Sequence, residues 1–237
     1  MAESRARRSA FFVTTAATLA AVVAIGFAKT FFIPLVRGEF SAAPVYYIHA
    51  ALFFTWVVLF VLQTVWIRNR RFAWHRTTGW CAAAIVVPMA ISLVGVGVAT
   101  VYRDLDRYGE SAVSEIVGTV TAAVFFVALV AAGIGYRRKP DIHRRLMLIA
   151  TVSITWVAFF RLRRYAPWVP YPEVTLGLVL ANLPIAVAML YDRVARGHIP
   201  RVYWVAVALI AEQSFEVATF DSPPWRAVAH ALFGTLG

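Results

Sequence analysis

Long apolar runs alternate with short polar segments along the whole chain. A helix needs roughly 20 apolar residues to cross a bilayer core of about 30 Å. Runs approaching that length cover residues 9–28, 46–67, 79–102, 112–136, 142–162, 174–191 and 202–220. The sequence therefore predicts an all-α integral membrane protein, an up-and-down bundle of seven transmembrane helices.

The last of these runs is the weakest prediction. Glu212 and Glu216 fall inside it, and an ionised side chain in hydrocarbon costs several kcal/mol unless it faces other helices. A bundle of six spans is therefore the alternative. In either case, residues 1–8 form a cytoplasmic tail, residues 9–220 form the bundle and residues 221–237 form a short C-terminal segment.

Composition and charge agree with the apolar pattern. The chain is 61% hydrophobic and 15% charged, far more apolar than a soluble domain. Its net charge of +11 would suggest nucleic-acid binding in a soluble protein, but here the basic residues flank apolar runs, so we expect a lipid bilayer and no nucleic acid as partner. Fifteen lysines and arginines fall on the side of the N-terminus and eight on the other, which predicts a cytoplasmic N-terminus.

Three polar junctions on that side resemble one another. They read "WIRNRRFAWHRTTGW", "YRRKPDIHRRLM" and "YDRVARGHIPRVYW", and they place His75, His143 and His198 near the starts of the third, fifth and seventh spans. One interpretation is topological, because arginines hold loops in the cytoplasm. The other is that His75 and His143 bind a metal or a haem iron, while arginines pair with propionates.

A second set of polar residues is expected nearer the opposite side. His49, Trp56 and Gln63 share one face of the second span, at i, i+7 and i+14. The other polar members of the set are Asn182, Arg161, Glu212 and Glu216. A structural interpretation pairs Arg161 with Glu212 or Glu216. A functional one makes all seven residues a cofactor-binding cavity, in which His49 and a carboxylate exchange protons or hold a quinone headgroup.

Several protein classes are excluded or disfavoured by residue content. Lys29 and Lys139 are the only lysines, so no late span carries the Schiff-base lysine of a retinal protein. The five histidines are too far apart in sequence for the boxes of a membrane di-iron enzyme. Cys81 is the only cysteine, so no intramolecular disulfide and no cysteine-based zinc site can form.

The series "HAALFFTWVVLFVLQ", "HRTTGW" and "HRRLMLIATVS" resembles a family of bacterial multi-pass inner-membrane proteins of uncharacterised function. The resemblance covers about residues 45–165. It implies a helical bundle in a bacterial inner membrane, and some similar folds handle haem or assist respiratory oxidase assembly.

Three function classes remain compatible with these observations. The first is binding of a redox cofactor, haem or quinone, as a small-molecule ligand in the bundle. The second is a proton-coupled transporter or carrier, and the third is a non-catalytic assembly or scaffold subunit. The sequence supports no assignment of catalytic residues, substrate or oligomeric state.

Overall fold

A computed structural model describes the backbone of residues 2–236 and the side chains of residues 10–236, and this part of the chain consists of helices joined by short loops, with no strand. The α-helices are α1 (Ala2–Phe27), α2 (Ile33–Val36), α3 (Pro44–Arg68), α4 (Phe72–Tyr108), α5 (Glu110–Gly135), α6 (Pro140–Arg161), α7 (Ala181–Arg196), α8 (Trp204–Thr219) and α9 (Pro223–Leu236). A π-helical turn, Ala28–Phe32, joins α1 to α2, and a second, Glu173–Leu180, leads into α7.

Six helical segments are long and apolar enough to cross a membrane. They are Ala10–Val36, Pro44–Arg68, Phe72–Tyr108, Glu110–Gly135, Pro140–Arg164 and Glu173–Arg196. This result confirms the predicted all-α, multi-pass membrane architecture. We call the end of the bundle where α4 and α6 begin the inner end, and the opposite end the outer end.

The seventh predicted span corresponds to α8, which has 16 residues. At about 1.5 Å per residue it is roughly 24 Å long, and the preceding 3-10 turn, Arg201–Tyr203, adds about 6 Å. A full crossing by α8 therefore stays a prediction. The C-terminal segment also forms a helix, α9. It packs along α5, where the Trp225 indole donates to the carbonyl of Ser114 at 3.0 Å.

The observed helices extend beyond the apolar runs that predicted them. The first continues past Phe27 through the π turn to Val36, and α4 begins at Phe72 and ends at Tyr108. Polar residues at a span end can stay helical outside the hydrocarbon, so hydropathy alone underestimates helix length. Gly109, with φ of 56°, ends α4 in a conformation that glycine adopts without strain.

Helix α6 lies at the centre of the bundle. In its apolar stretch 61% of residues are buried, against at most 39% in the other five spans. It packs against α1, α5 and α7, and the side chains that face it form the largest core cluster. Because α6 is surrounded, polar residues on its buried faces, such as Arg145, meet other helices.

Candidate functional site

The inner ends of α4 and α6 bring two of the predicted histidines together. His75 lies in the first turn of α4, and His143 lies in the first turn of α6, which Pro140 begins. Their ring centroids are 6.3 Å apart and the ring planes are inclined by 81°. Both side chains are half-buried. The two rings are therefore close enough to share one small ligand.

One nitrogen of His143 is already engaged. Its Nδ1 lies 2.7 Å from the carbonyl oxygen of Gly133 on α5. A carbonyl can only accept, so Nδ1 carries the proton and donates. The Nε2 atom of His143 therefore keeps a free lone pair, which is the form that ligates a metal.

Gln63 of α3 contacts the other ring. The amide orientation that satisfies its neighbours directs the oxygen to the backbone N–H of Gly79 at 3.0 Å and directs the nitrogen to His75 Nδ1. In that orientation Nδ1 of His75 accepts and Nε2 carries the proton. Rotating the amide by half a turn presents the oxygen to His75 and reverses the tautomer. The orientation of the Gln63 amide thus determines which ring nitrogen of His75 carries the proton.

The histidine pair has no third protein ligand nearby. Within the described residues, no group of three or more histidine, cysteine, aspartate or glutamate side chains could hold a metal ion. His198, the third histidine of the repeated junctions, is exposed, and its Nδ1 donates to the carbonyl of Arg196 at 3.2 Å. His198 lies after the end of α7 rather than in the first turn of a helix, which explains why it does not join the pair.

A buried ion pair that the sequence analysis missed lies beside His143 on α6. Arg145 is fully buried, and its guanidinium donates two hydrogen bonds to Asp192 of α7, from Nε at 2.7 Å and from Nη2 at 2.5 Å. The Tyr203 hydroxyl donates to the same carboxylate at 2.8 Å. Burial and the adjacent carboxylate raise the pKa of Tyr203, so the hydroxyl stays a donor. This cluster joins α6, α7 and the start of α8.

A half-exposed layer of charges covers the buried pair. Arg196 contacts both acidic residues of the region, Asp141 at 2.7 Å and Asp192 at 3.2 Å. Arg144 also pairs with Asp141, at 2.5 Å. Asp141 lies three residues before Arg144 and four before Arg145, and Asp192 lies four before Arg196. These i,i+3 and i,i+4 spacings are the sequence signals that could have indicated this network.

The predicted seven-residue cavity is not one site. His49, Trp56 and Gln63 share a face as expected, but they meet different partners at different depths. His49 Nδ1 lies 3.3 Å from Ser92 Oγ of α4, the Trp56 indole donates to Thr151 of α6 at 3.3 Å, and Gln63 contacts His75. A separation of 14 residues is about 21 Å along a helix, so His49 and Gln63 lie far apart.

The expected ion pair between Arg161 and Glu212 or Glu216 is wrong. None of the salt bridges in residues 10–236 joins them. Glu216 instead accepts a hydrogen bond from the Thr121 hydroxyl of α5, and its carboxylate lies beside Gly118 of the same helix. Glu216 is therefore directed toward α5.

The remaining members of the predicted set lie apart as well. Asn182 donates to Gln213 of α8 at 2.8 Å, which links α7 to α8. Arg161 places its guanidinium 4.4 Å from the centre of the Phe27 ring. The residues predicted to bind one cofactor are thus dispersed. Gln63 lies at the inner end beside His75, and the others make separate contacts between helices.

An apolar cleft of about 420 Å³ runs along α3 and α4 next to His49. Its walls are Val45, Ile48, Leu52, Pro88, Ile91, Ser92 and Gly95. Ser92 is the only polar side chain of this lining, and its hydroxyl contacts His49. A ligand that enters from the lipid side would therefore meet one polar point.

No family model matches the chain, and no curated protein or solved structure matches it either.

Proposed function

We propose that this multi-pass membrane protein binds haem, which His75 and His143 would hold through their ring nitrogens. The observation that carries the proposal is the 6.3 Å separation of the two ring centroids. Two imidazoles that each bound one metal through a nitrogen at about 2.0–2.1 Å would have their ring centroids within about 6 Å of each other.

The absence of further ligands among the described residues favours haem over a bare metal ion. Protein sites for zinc use three or four side chains, whereas haem iron takes its four equatorial nitrogens from the porphyrin and needs only two axial ligands. Two histidines suit haem for that reason. When bound, the haem would supply one-electron redox chemistry.

Other residues near the pair have the chemistry to support this ligation. The hydrogen bond from His143 to the Gly133 carbonyl fixes the ring orientation and tautomer, as is usual for a ligating histidine. The exposed basic residues Arg137, Arg138 and Lys139 follow α5 and suit propionate carboxylates. Ligation by His75 Nε2 requires the Gln63 amide to present its oxygen to Nδ1.

The haem content of purified protein tests the proposal. Protein produced with ample haem precursor should show a Soret band at a ratio near one haem per chain, and His75→Ala or His143→Ala should remove most of it. His198→Ala is the matched control, because His198 is exposed and lies outside the pair. A colourless wild-type protein, or equal haem in all three variants, would contradict the proposal.

The proposed location is a bacterial inner membrane with a cytoplasmic N-terminus, supported by the basic excess on that side and by the family resemblance. The histidine pair then faces the cytoplasm. Reporter fusions after residues 70 and 139 should both show a cytoplasmic signal. A periplasmic signal from the loop before His143 would show that the orientation is the opposite of the one proposed.

A quinone is a second candidate ligand, and the cleft beside Ser92 and His49 favours it. A lipid-soluble ring could enter the cleft, where its carbonyl would accept the Ser92 hydroxyl proton in place of the Met89 carbonyl, which accepts it at 2.8 Å in the structure. Equilibrium dialysis of a short-chain benzoquinone against protein in nanodiscs should then show binding that Ser92→Ala weakens. Ala128→Leu, in the separate apolar groove between α4 and α5, is the control. Unchanged binding in Ser92→Ala would exclude this site.

A further inference from the structure

Arg161 lies at the outer end of α6 and is half-buried. Its Nε is fully buried and has no hydrogen-bond partner within residues 10–236. Arg144 and Arg196 also have a buried Nε without a hydrogen bond, but both form ion pairs. Each pairs with Asp141 through another nitrogen, and Nε of Arg196 lies 3.2 Å from the Asp192 carboxylate. Arg161 is different, because no carboxylate lies within ion-pair distance of it in the described chain.

Two further arginines follow Arg161 directly. They are Arg163 and Arg164, which lie in the 3-10 turn Leu162–Arg164 after α6. Lys29 of the π turn lies in the same region, since its Nζ donates to the carbonyl of Arg164 at 3.3 Å. Positive charge therefore accumulates around the end of α6. None of the four basic side chains there, Lys29, Arg161, Arg163 and Arg164, forms an ion pair within residues 10–236.

Ordinary effects account for the exposed arginines but not for Arg161. Cations near a helix C-terminus are favoured by the macrodipole, and Arg163 and Arg164 are exposed to solvent. The guanidinium of Arg161 packs over the Phe27 ring, and a cation–π contact offsets only part of the cost of a desolvated charge. A half-buried guanidinium whose Nε has no acceptor would be stabilised by a bound anion.

We infer that Arg161 forms the centre of an anion-binding site at the outer end of α6, which takes a phosphate or carboxylate group. The planar guanidinium can bind such a group through two parallel hydrogen bonds. Arg163, Arg164 and Lys29 surround it and add long-range attraction. The anion comes either from an acidic lipid headgroup or from solution.

This site is independent of the proposed haem. Arg161 and His143 lie roughly 27 Å apart along α6, so Arg161 cannot reach a haem propionate at the inner end. Loss of haem binding would leave the anion site unchanged, and the reverse also holds.

Thermal unfolding in nanodiscs of defined lipid tests the site. Wild-type protein is compared in phosphatidylcholine, in phosphatidylcholine with inorganic phosphate, and in phosphatidylcholine mixed with phosphatidylglycerol. A ligand at about 100 times its Kd should raise Tm by roughly 5–10 °C. A shift with phosphatidylglycerol alone identifies a lipid headgroup, and a shift with phosphate identifies a soluble anion.

Arg161→Met separates this site from general lipid effects. The substitution should abolish the increase in Tm caused by the anion. In pure phosphatidylcholine the variant should unfold at the same or a higher temperature than wild type, because an unpaired charge has been removed. Arg103→Met is the matched control, since Arg103 already pairs with Asp104 at 2.7 Å, and it should keep the shift.

Native mass spectrometry of the wild type provides a second measurement if Arg161→Met fails to fold. Wild-type protein should retain one phosphatidylglycerol, but not phosphatidylcholine, after detergent exchange. No Tm shift with either anion, an equal shift in Arg161→Met, or no lipid preference in the wild type would overturn the inference.

Discussion

Two arginines at opposite ends of α6 show two ways of burying a positive charge. Arg145 at the inner end is fully buried, and its guanidinium meets the Asp192 carboxylate through two hydrogen bonds. Arg161 at the outer end is half-buried, and no anion among the described residues pairs with it. A satisfied charge holds helices together, whereas an unsatisfied one indicates a place for a ligand.

The histidine pair lies between these extremes. Each ring has its Nδ1 engaged, by Gly133 for His143 and by Gln63 for His75. Nε2 of His143 has a free lone pair, and Nε2 of His75 gains one when the Gln63 amide presents its oxygen to Nδ1. The pair is thus held in place by the protein and still able to bind. This is the arrangement expected of an axial-ligand site.

Removing Asp192, the partner of Arg145, should leave Arg145 unpaired like Arg161 and strongly destabilise the protein. We expect Asp192→Asn to lower the free energy of unfolding by about 3–5 kcal/mol, because it leaves a buried guanidinium without its counter-ion. Denaturant unfolding in detergent measures the effect. The double variant Arg145→Met with Asp192→Leu should lose much less, because it removes both charges.

Arg144→Ala is the control for that comparison, since Arg144 is adjacent in sequence and pairs with the exposed Asp141. It should cost about 0–1 kcal/mol. Equal losses in Arg144→Ala and Asp192→Asn would show that the buried pair has no special role.

A smaller change weakens the inner cluster without leaving Arg145 unpaired. Tyr203→Phe removes one hydrogen bond to the Asp192 carboxylate and keeps the ring. We expect a loss of about 1.5–3 kcal/mol, the range for hydrogen bonds to charged groups. Because Tyr203 begins the link to α8, the α8 region should also become more accessible to protease. Tyr165→Phe, whose hydroxyl bonds an exposed carbonyl, is the control.

Replacing Gln63 should affect haem affinity more than folding. Gln63→Leu removes the group that orients His75, and loss of such a supporting hydrogen bond typically weakens metal binding 10–100-fold. Gln63→Glu should restore binding, because its carboxylate accepts from His75 Nδ1 and leaves Nε2 free. Haem titration followed by the Soret band measures both. Equal affinity in Gln63→Leu and wild type would exclude this role.

The smallest effect belongs to an arginine–aspartate pair at the surface. The Arg226 guanidinium, together with the Ser111 and Ser114 hydroxyls, holds the pKa of Asp221 well below its usual range. This contribution to stability is therefore present above about pH 3.9, the usual pKa, and is lost as pH falls toward the lower folded value. The Tm difference between wild type and Asp221→Asn should shrink below about pH 4. A pH-independent difference would contradict the assignment.

The membrane spans could be predicted because a run of apolar residues is a property of the chain alone. The meeting of His75 and His143 could be proposed, because both follow basic loops at the same end of the bundle. The structure places their rings side by side, while ligand binding stays a prediction.

Other features depend on helix rotation, which the sequence does not determine. Arg144 and Arg145 are adjacent, yet one pairs at the surface and the other is fully buried, because successive residues differ by about 100° around a helix. A count of basic residues treats both as topological signals. Likewise, the predicted pairing of Arg161 with Glu216 failed because Glu216 faces α5, where it accepts from the Thr121 hydroxyl.

The coordination state of added haem tests the central claim most directly. Purified protein from haem-deficient cells is titrated with one equivalent of haemin in nanodiscs, and its absorption and electron paramagnetic resonance spectra are recorded. Two histidine ligands predict a six-coordinate, low-spin ferric iron in the wild type and in His198→Ala. His75→Ala and His143→Ala should each give a high-spin iron with one ligand missing. A high-spin wild-type spectrum, or haemin that stays free, would contradict the account.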